Sequence, residues 1–136
     1  GGLDAEEIAE IAEYLRARSV PAQAVIMRRG DPADALFFIA EGEVEIRGHY
    51  SHRRLTAGEF FGEMSIINGQ PRSATVRAVV PTKLLMLDAE DLRDLMRRHP
   101  ELERRMIESA RRKALEGEAE EVAAAVPQHD EGRSAS

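Results

Sequence analysis

Ile8, Ile11 and Leu15 recur at intervals of three and four among acidic and small residues, the spacing that lines one face of a helix. Asp4 followed three residues later by Glu7 supplies a capping-box pattern, so a helix is predicted over residues 4–18, ending before Pro21. The texture then changes. Short runs rich in β-branched and aromatic residues, "AVIMRR", "ALFFIA", "EVEIR" and "RRL", are separated by the turn-like stretches "GDPAD", "EG", "GHYSH" and "TAGE". Glu43, Val44, Glu45 and Ile46 alternate as a half-buried strand does. Two more strands are predicted at 74–80 and 83–87, with Pro81 between them. The pattern predicts an all-β middle over residues 20–87, six or so closely spaced strands that close as a sandwich or barrel.

Helical spacing returns at Asp88. Leu92, Leu95 and Met96 share a face over 88–98, and Pro100 breaks that helix while suiting the first turn of the next, over 100–116. There Leu102, Met106, Ile107 and Ala110 form one stripe. The arginine doublets at 97–98, 104–105 and 111–112 read as a solvated face with partners one turn away. From residue 118 onward Ala, Glu, Ser and Gly dominate, and 118–136 is expected to be a disordered acidic tail.

Composition narrows the classes. A chain of 136 residues with 43% hydrophobic content supports one core, here residues 1–117. The absence of cysteine excludes disulfides and Cys-based zinc sites and fits a reducing, cytoplasmic setting. No apolar run reaches the ~18 residues needed to cross a bilayer, and "GGLDAEEIAE" has no signal-peptide pattern. The net charge of −6 belongs mostly to residues 116–136, which hold six acidic side chains against one arginine. The remaining body is nearly neutral, without the positive excess of a nucleic-acid surface, so no nucleic-acid partner is expected.

The candidate chemistry lies in "FFGEMSIINGQPRSATV", residues 60–76. A turn at Phe61–Gly62 entering the short helical run "GEMSIIN" leaves the first N–H groups of that run open to an anion. Gly62 lets a ligand approach the backbone, Arg72 offers a charge-assisted fork to phosphate oxygens, and Ser73 adds a hydroxyl. Glu63 would be repelled by phosphate and is better suited to accept from a neighbouring hydroxyl such as a ribose 2′-OH. By residue type alone, Glu63 and Arg72 also read as an ordinary ion pair across a turn.

This stretch resembles the phosphate-binding cassette of the cyclic nucleotide-binding domain family, F-G-E followed by a short helix and P-R-S-A-T-V. The preceding "G-x-x-x-x-x-x-F-F-x-x-x-G-x-V" spacing, met here from Gly30 to Val44, and the order of helices and strands match over nearly the whole chain. The resemblance implies an eight-stranded β-roll, mainly β, flanked by an N-terminal helix and two C-terminal helices. It implies a cyclic nucleotide, cAMP with weaker cGMP, as ligand and no cofactor. It assigns the phosphate to Arg72, Ser73 and the backbone of Gly62, Glu63 and Met64, the ribose to Glu63 and, for a guanine ligand, a base contact to Ser73, and it counts Phe61 and Ala74 among the ligand-binding residues. A last helix closing as a lid would bring Arg112 or Lys113 to the base. The wording of residues 16–44 is most similar to C-terminal domains of prokaryotic cyclic nucleotide-gated potassium channels. That implies a pore domain of the same polypeptide as partner, a tetrameric parent, a monomeric isolated domain and a cytoplasmic position at a membrane. Relatives carry another helix ahead of the first one here, so the coupling segment is expected outside these residues.

Rival functions find less support. A cupin-type metalloenzyme needs a His-x-His with a nearby Glu and a later His, whereas His49 and His52 flank a turn-like stretch and His99 and His129 stand apart. No Ser-His-Asp order, catalytic carboxylate pair or Gly-Lys-Ser/Thr loop is present, so no enzyme is expected. A transcription regulator would add a helix-turn-helix unit of about 70 residues with a basic recognition helix, and only polar, acidic residues follow here. The paired phenylalanines at 37–38 and 60–61 read as core, one ring of each pair inward.

Overall fold

The computed structural model describes residues 5–49, 52–108 and 111–112. In chain order they form α1 (Ala5–Tyr14), β1 (Arg16–Val20), β2 (Val25–Met27), β3 (Ala35–Glu41), β4 (Glu43–Arg47), β5 (His52–Thr56), β6 (Phe60–Phe61), α2 (Glu63–Asn68), β7 (Thr75–Ala78), β8 (Thr82–Asp88) and α3 (Ala89–Arg98). Residues 100–108 are helical as well. The strands make two antiparallel four-stranded sheets, ordered β1-β8-β3-β6 and β2-β7-β4-β5. The class is mainly β, with eight strands and flanking helices.

Alternation along β3 shows how the layers are built. Ala35, Phe37 and Ile39 enter the space between the sheets with Val44, Leu55, Phe61, Val76, Ala78 and Leu84. Leu36 and Phe38 face the other way, because successive side chains of a strand point to opposite faces. There Leu36 and Leu87 meet Ile11 of α1, Ile66 of α2, Leu92, Leu95 and Met96 of α3, and Leu102 and Met106 of the last helical segment. The first sheet is therefore covered on both faces where β3 and β8 run through its middle. All four helical segments rest on one apolar patch, and displacement of one is felt by the others.

Two strands escaped the sequence pattern. The helix predicted over residues 4–18 ends at Tyr14, and Arg16–Val20 is β1. Arg16, Ala17, Arg18 and Ser19 are all exposed, so no alternation marks them. Their state is set by pairing with β8, Arg16 opposite Met86 through Val20 opposite Thr82, a partner more than sixty positions away that overrides local helix preference. The other, β6, is only Phe60–Phe61, paired with Phe38 and Phe37. His52 opens β5 and does not sit in a turn. Asp4, Ala110 and the 118–136 tail lie outside the described residues.

The arginine doublets divide. Arg97 and Arg104 pair within their own helical segments, with Asp94 and Glu101, as a solvated face does. Arg98 and Arg105 reach across to Glu10 and Glu7 of α1, so one member of each of these two doublets fastens the C-terminal helices to the N-terminal one. His99 adds a second contact to Glu10.

Candidate functional site

β6 ends at Phe61, whose ring is stacked on Phe37 with centroids 5.1 Å apart. That pairing fixes where the chain leaves the sheet. Gly62 then takes φ +94° and starts α2, which no side chain caps. A β-carbon at this position would stand 2.9 Å from Nη1 of Arg72 and 3.3 Å from the Ala35 carbonyl oxygen. Glycine is required by both dihedral and space. At the far end Gly69, φ +65°, closes α2 through N–H bonds to Ser65 and Ile66 carbonyls from the Gly69–Gln70 turn.

Arg72 follows Pro71 and turns inward. Only 2% exposed, it donates from Nη1 to the Gly62 carbonyl oxygen at 2.8 Å and from Nη2 to the Ala35 carbonyl oxygen at 2.5 Å. Nη2 also meets the Asp34 carboxylate at 3.2 Å. The guanidinium carbon lies 5.8 Å from the Phe37 ring centroid, within cation–π range. Burial pushes the Arg72 guanidinium below its ordinary value, opposed by the Asp34 hydrogen bond and by the charges of Asp34, Asp31 and Glu63. Arginine remains charged throughout any ordinary pH range, so the effect is a buried, positively charged fork held by three oxygens.

The backbone on either side is sewn to the loop before β3. Gly30 gives its N–H to the Arg72 carbonyl oxygen and Arg72 returns its own N–H to Asp31, each at 2.8 Å. Glu63 is 2% exposed in the first turn of α2. Met64 is exposed, Ser73 is exposed and Ala74 is buried. Thus Phe61, Gly62, Glu63, Met64, Arg72, Ser73 and Ala74 gather at one place where β6, α2 and the start of β7 meet. Arg112 is helical and exposed, and Lys113 lies outside the described residues.

Asp34 and Ala35 were not foreseen as members of this cluster. Both stand in or beside "GDPAD", which reads as an ordinary turn, and nothing in the spacing places residue 34 against residue 72. The fork expected to serve phosphate oxygens is also an internal group, since it satisfies two backbone carbonyls. Among the described residues no cluster of three or more His, Asp or Glu can hold a metal ion, and no helix is long and apolar enough to cross a membrane.

A family profile of the cyclic nucleotide-binding domain matches residues 17–99. The chain is 45% identical over 114 residues to a cyclic nucleotide-gated potassium channel of Rhizobium etli, covering 84% of this chain and 31% of that protein. It thus spans under a third of that relative's length. Among solved structures it resembles the catabolite activator protein of Thermus thermophilus, with TM-score 0.75 and 35% identity over 88% of this chain and 59% of that one. A cyclic nucleotide-binding domain from Methylobacillus flagellatus superposes with TM-score 0.78 at 26% identity, over 95% of this chain and 78% of the other. Sequence and architecture agree: this chain belongs to the cyclic nucleotide-binding domain family.

Proposed function

We propose that this chain is the ligand-sensing domain of a cyclic nucleotide-gated ion channel, a binding module rather than a catalyst, taking cAMP in preference to cGMP. The observation that carries the reading is the placement of Arg72, a nearly inaccessible cation held against Gly62 at the uncapped start of α2. Such an arrangement is preorganised for an anion, because its geometry is fixed before the ligand arrives. In this reading the cyclic phosphate meets Arg72, Ser73, Ala74 and the N–H groups from Gly62 to Met64, over the wall made by Phe61. Glu63 takes the ribose 2′-OH. The segment from residue 100 onward closes over the base, with Arg112 or Lys113 facing it. Support for the closure comes from the shared apolar patch, where Ile66 of α2 packs in one cluster with Leu102 and Met106.

The channel assignment draws on the identity to the potassium channel named above. In this reading the domain lies on the cytoplasmic side of a membrane, attached to a pore domain of the same polypeptide and tetrameric only through that parent. The likeness to the catabolite activator protein favours a second reading, a sensor attached to a DNA-binding unit. The coding sequence upstream separates the two: six apolar spans with a pore loop support the channel, and their absence removes it.

Calorimetric titration with cAMP, cGMP and 5′-AMP tests the ligand. The expected order is cAMP, then cGMP, with 5′-AMP far weaker, since an open dianionic phosphate does not match a site shaped for the ring. Equal affinity for 5′-AMP and cAMP overturns the reading.

A further inference from the structure

The outer face of the second sheet carries a polar cavity that shares no residue with the site above. Its volume is about 470 Å³, and Gln23, Glu45, Arg47, Thr75 and Arg77 line it, a size ordinary for a small-molecule site. The β4–β7 register sets Arg47 opposite Thr75 and Glu45 opposite Arg77. The two arginines are therefore diagonal neighbours on one face, within reach of a shared guest. Val44 and Val76, alternating with them, point into the roll.

Both guanidinium groups are held from one side and open on the other. Arg47 donates from Nε to the Glu45 carboxylate at 2.7 Å, and Arg77 donates from Nη1 to the Gln23 carbonyl oxygen at 2.8 Å. Among the described residues, Nη1 and Nη2 of Arg47 and Nη2 of Arg77 have no partner. The Thr75 hydroxyl accepts from the Arg29 N–H at 3.1 Å and keeps its own hydrogen to donate. Glu45 stays ionised, since the Arg47 bond and then that of His52 hold it at about 2. Two guanidinium groups thus face one carboxylate, while Glu43 and Arg54 beside them pair with each other and leave that positive balance unchanged.

Gln23 supplies an independent sign. The turn from Pro21 to Ala24 is closed by the Ala24 N–H on the Pro21 carbonyl oxygen at 3.2 Å, and its third position carries φ +75°. Glycine or asparagine is the ordinary choice there. Gln23 is the one non-glycine with positive φ among the described residues, and it is fixed by its N–H to Ala78 at 2.8 Å and by the Arg77 bond. A strained residue that lines a cavity points to a ligand.

We propose that this cavity binds a small phosphate monoester bearing hydroxyl groups, such as a sugar phosphate. The open nitrogens of Arg47 and Arg77, with the Thr75 hydroxyl, take the phosphate oxygens, because paired guanidinium forks match that geometry. Glu45 would repel a phosphate and accepts from a sugar hydroxyl instead, with Gln23 beside it.

Amide NMR titration of the whole chain with ribose 5-phosphate, inorganic phosphate and ribose separately tests this. The cross-peaks of Gln23, Glu45, Arg47 and Arg77 are expected to move saturably with ribose 5-phosphate, which should bind about threefold or more tighter than inorganic phosphate, the least that an added hydrogen-bonded hydroxyl supplies. Arg47→Gln and Arg77→Gln should each weaken it about three- to tenfold, the scale of a charge-assisted bond at an exposed position. Arg54→Gln, which removes a charge from the same face outside the cavity, should change it by about twofold at most. Gln23→Gly relieves the dihedral, so it should raise the melting temperature while weakening binding. Equal affinity for inorganic phosphate means an adventitious ion only and overturns the proposal. A loss in Arg54→Gln as large as in Arg77→Gln overturns it in favour of diffuse charge attraction. Movement confined to Gly62, Met64 and Ser73 overturns it by placing the probe in the cassette. Unaltered binding in Gln23→Gly overturns the part given to Gln23.

Discussion

Gly62 and Arg72 constrain one another: Nη1 of Arg72 bonds the Gly62 carbonyl oxygen at 2.8 Å and lies 2.9 Å from where a β-carbon on residue 62 would stand. Gly62→Ala should therefore cost about 1–3 kcal/mol for the strained dihedral alone, and more for pushing the guanidinium aside. Gly69→Ala at the other end of α2 has open space around it and should cost only the left-handed penalty of about 1–2 kcal/mol. Urea denaturation of the two free proteins measures the difference. Equal losses would mean that Arg72 yields freely to a methyl group.

Arg72→Ala tests the site itself. As a group serving only a ligand, Arg72 would leave the free domain's stability unchanged on removal, but the fork satisfies two carbonyls and packs over Phe37. Its loss should lower stability by about 1–3 kcal/mol through unsatisfied buried oxygens. Binding of cAMP, measured well below the melting transition, should weaken by roughly 2–5 kcal/mol. An affinity within threefold of the unaltered domain would assign the phosphate to backbone N–H groups alone.

For Glu63, 2% exposed beside the same turn, the discriminating reagent is 2′-deoxy-cAMP. Glu63→Ala should weaken cAMP by about 1–3 kcal/mol, the cost of a lost hydrogen bond to a charged group, and should weaken the deoxy ligand far less. Equal losses for both ligands would remove Glu63 from the ribose and leave it an electrostatic neighbour of Arg72.

The alternating and periodic parts of this fold were legible because their side chains report their own environment: Val44 against Glu43 and Glu45 in β4, Leu92 and Leu95 in α3. β1 was not, since four exposed residues carry no pattern and only β8 decides their state. In the site, the cassette could be read because Gly62, Glu63 and Arg72 lie within one short stretch. Asp34 could not, because its role depends on β3 and the cassette being brought together by the sheet. The two phenylalanine pairs fall between these cases. The sequence indicated one inward ring in each, and Phe37 and Phe61 do enter the roll while Phe38 and Phe60 pack on the helical side.

A pH dependence follows from the outer face of the second sheet. Glu45 accepts from Nε of Arg47 at 2.7 Å and lies 2.9 Å from Nε2 of His52; the Arg47 hydrogen bond, then that of His52, lowers its pKa from 4.5 to about 2. The folded value lies below the unfolded one, so this cluster's contribution is present above pH 4.5 and is lost as pH falls toward about 2. A carboxyl-carbon NMR titration should place the Glu45 midpoint near the lower value, and Arg47→Ala should raise it. An unshifted midpoint in that variant would credit His52 alone.

The last helical segment separates anchoring from contact. Leu102 and Met106 hold it in the shared apolar patch, and Arg105 fastens it to Glu7 of α1; all three precede residue 108. Truncation after Glu108 should therefore leave the roll and the anchors intact while removing Arg112 and Lys113. Cyclic AMP binding should weaken by roughly 1–3 kcal/mol, the scale of a modest coupling between a closing segment and its ligand. Truncation after Gly117 keeps both basic residues and discards the acidic remainder, and it should change neither affinity nor melting temperature. The pair of truncations isolates residues 109–117 as the contributors. If the shorter chain binds cAMP as tightly as the longer one, the base is not covered by this segment, and the ligand's influence on the C-terminal helices must run through α2 and α3.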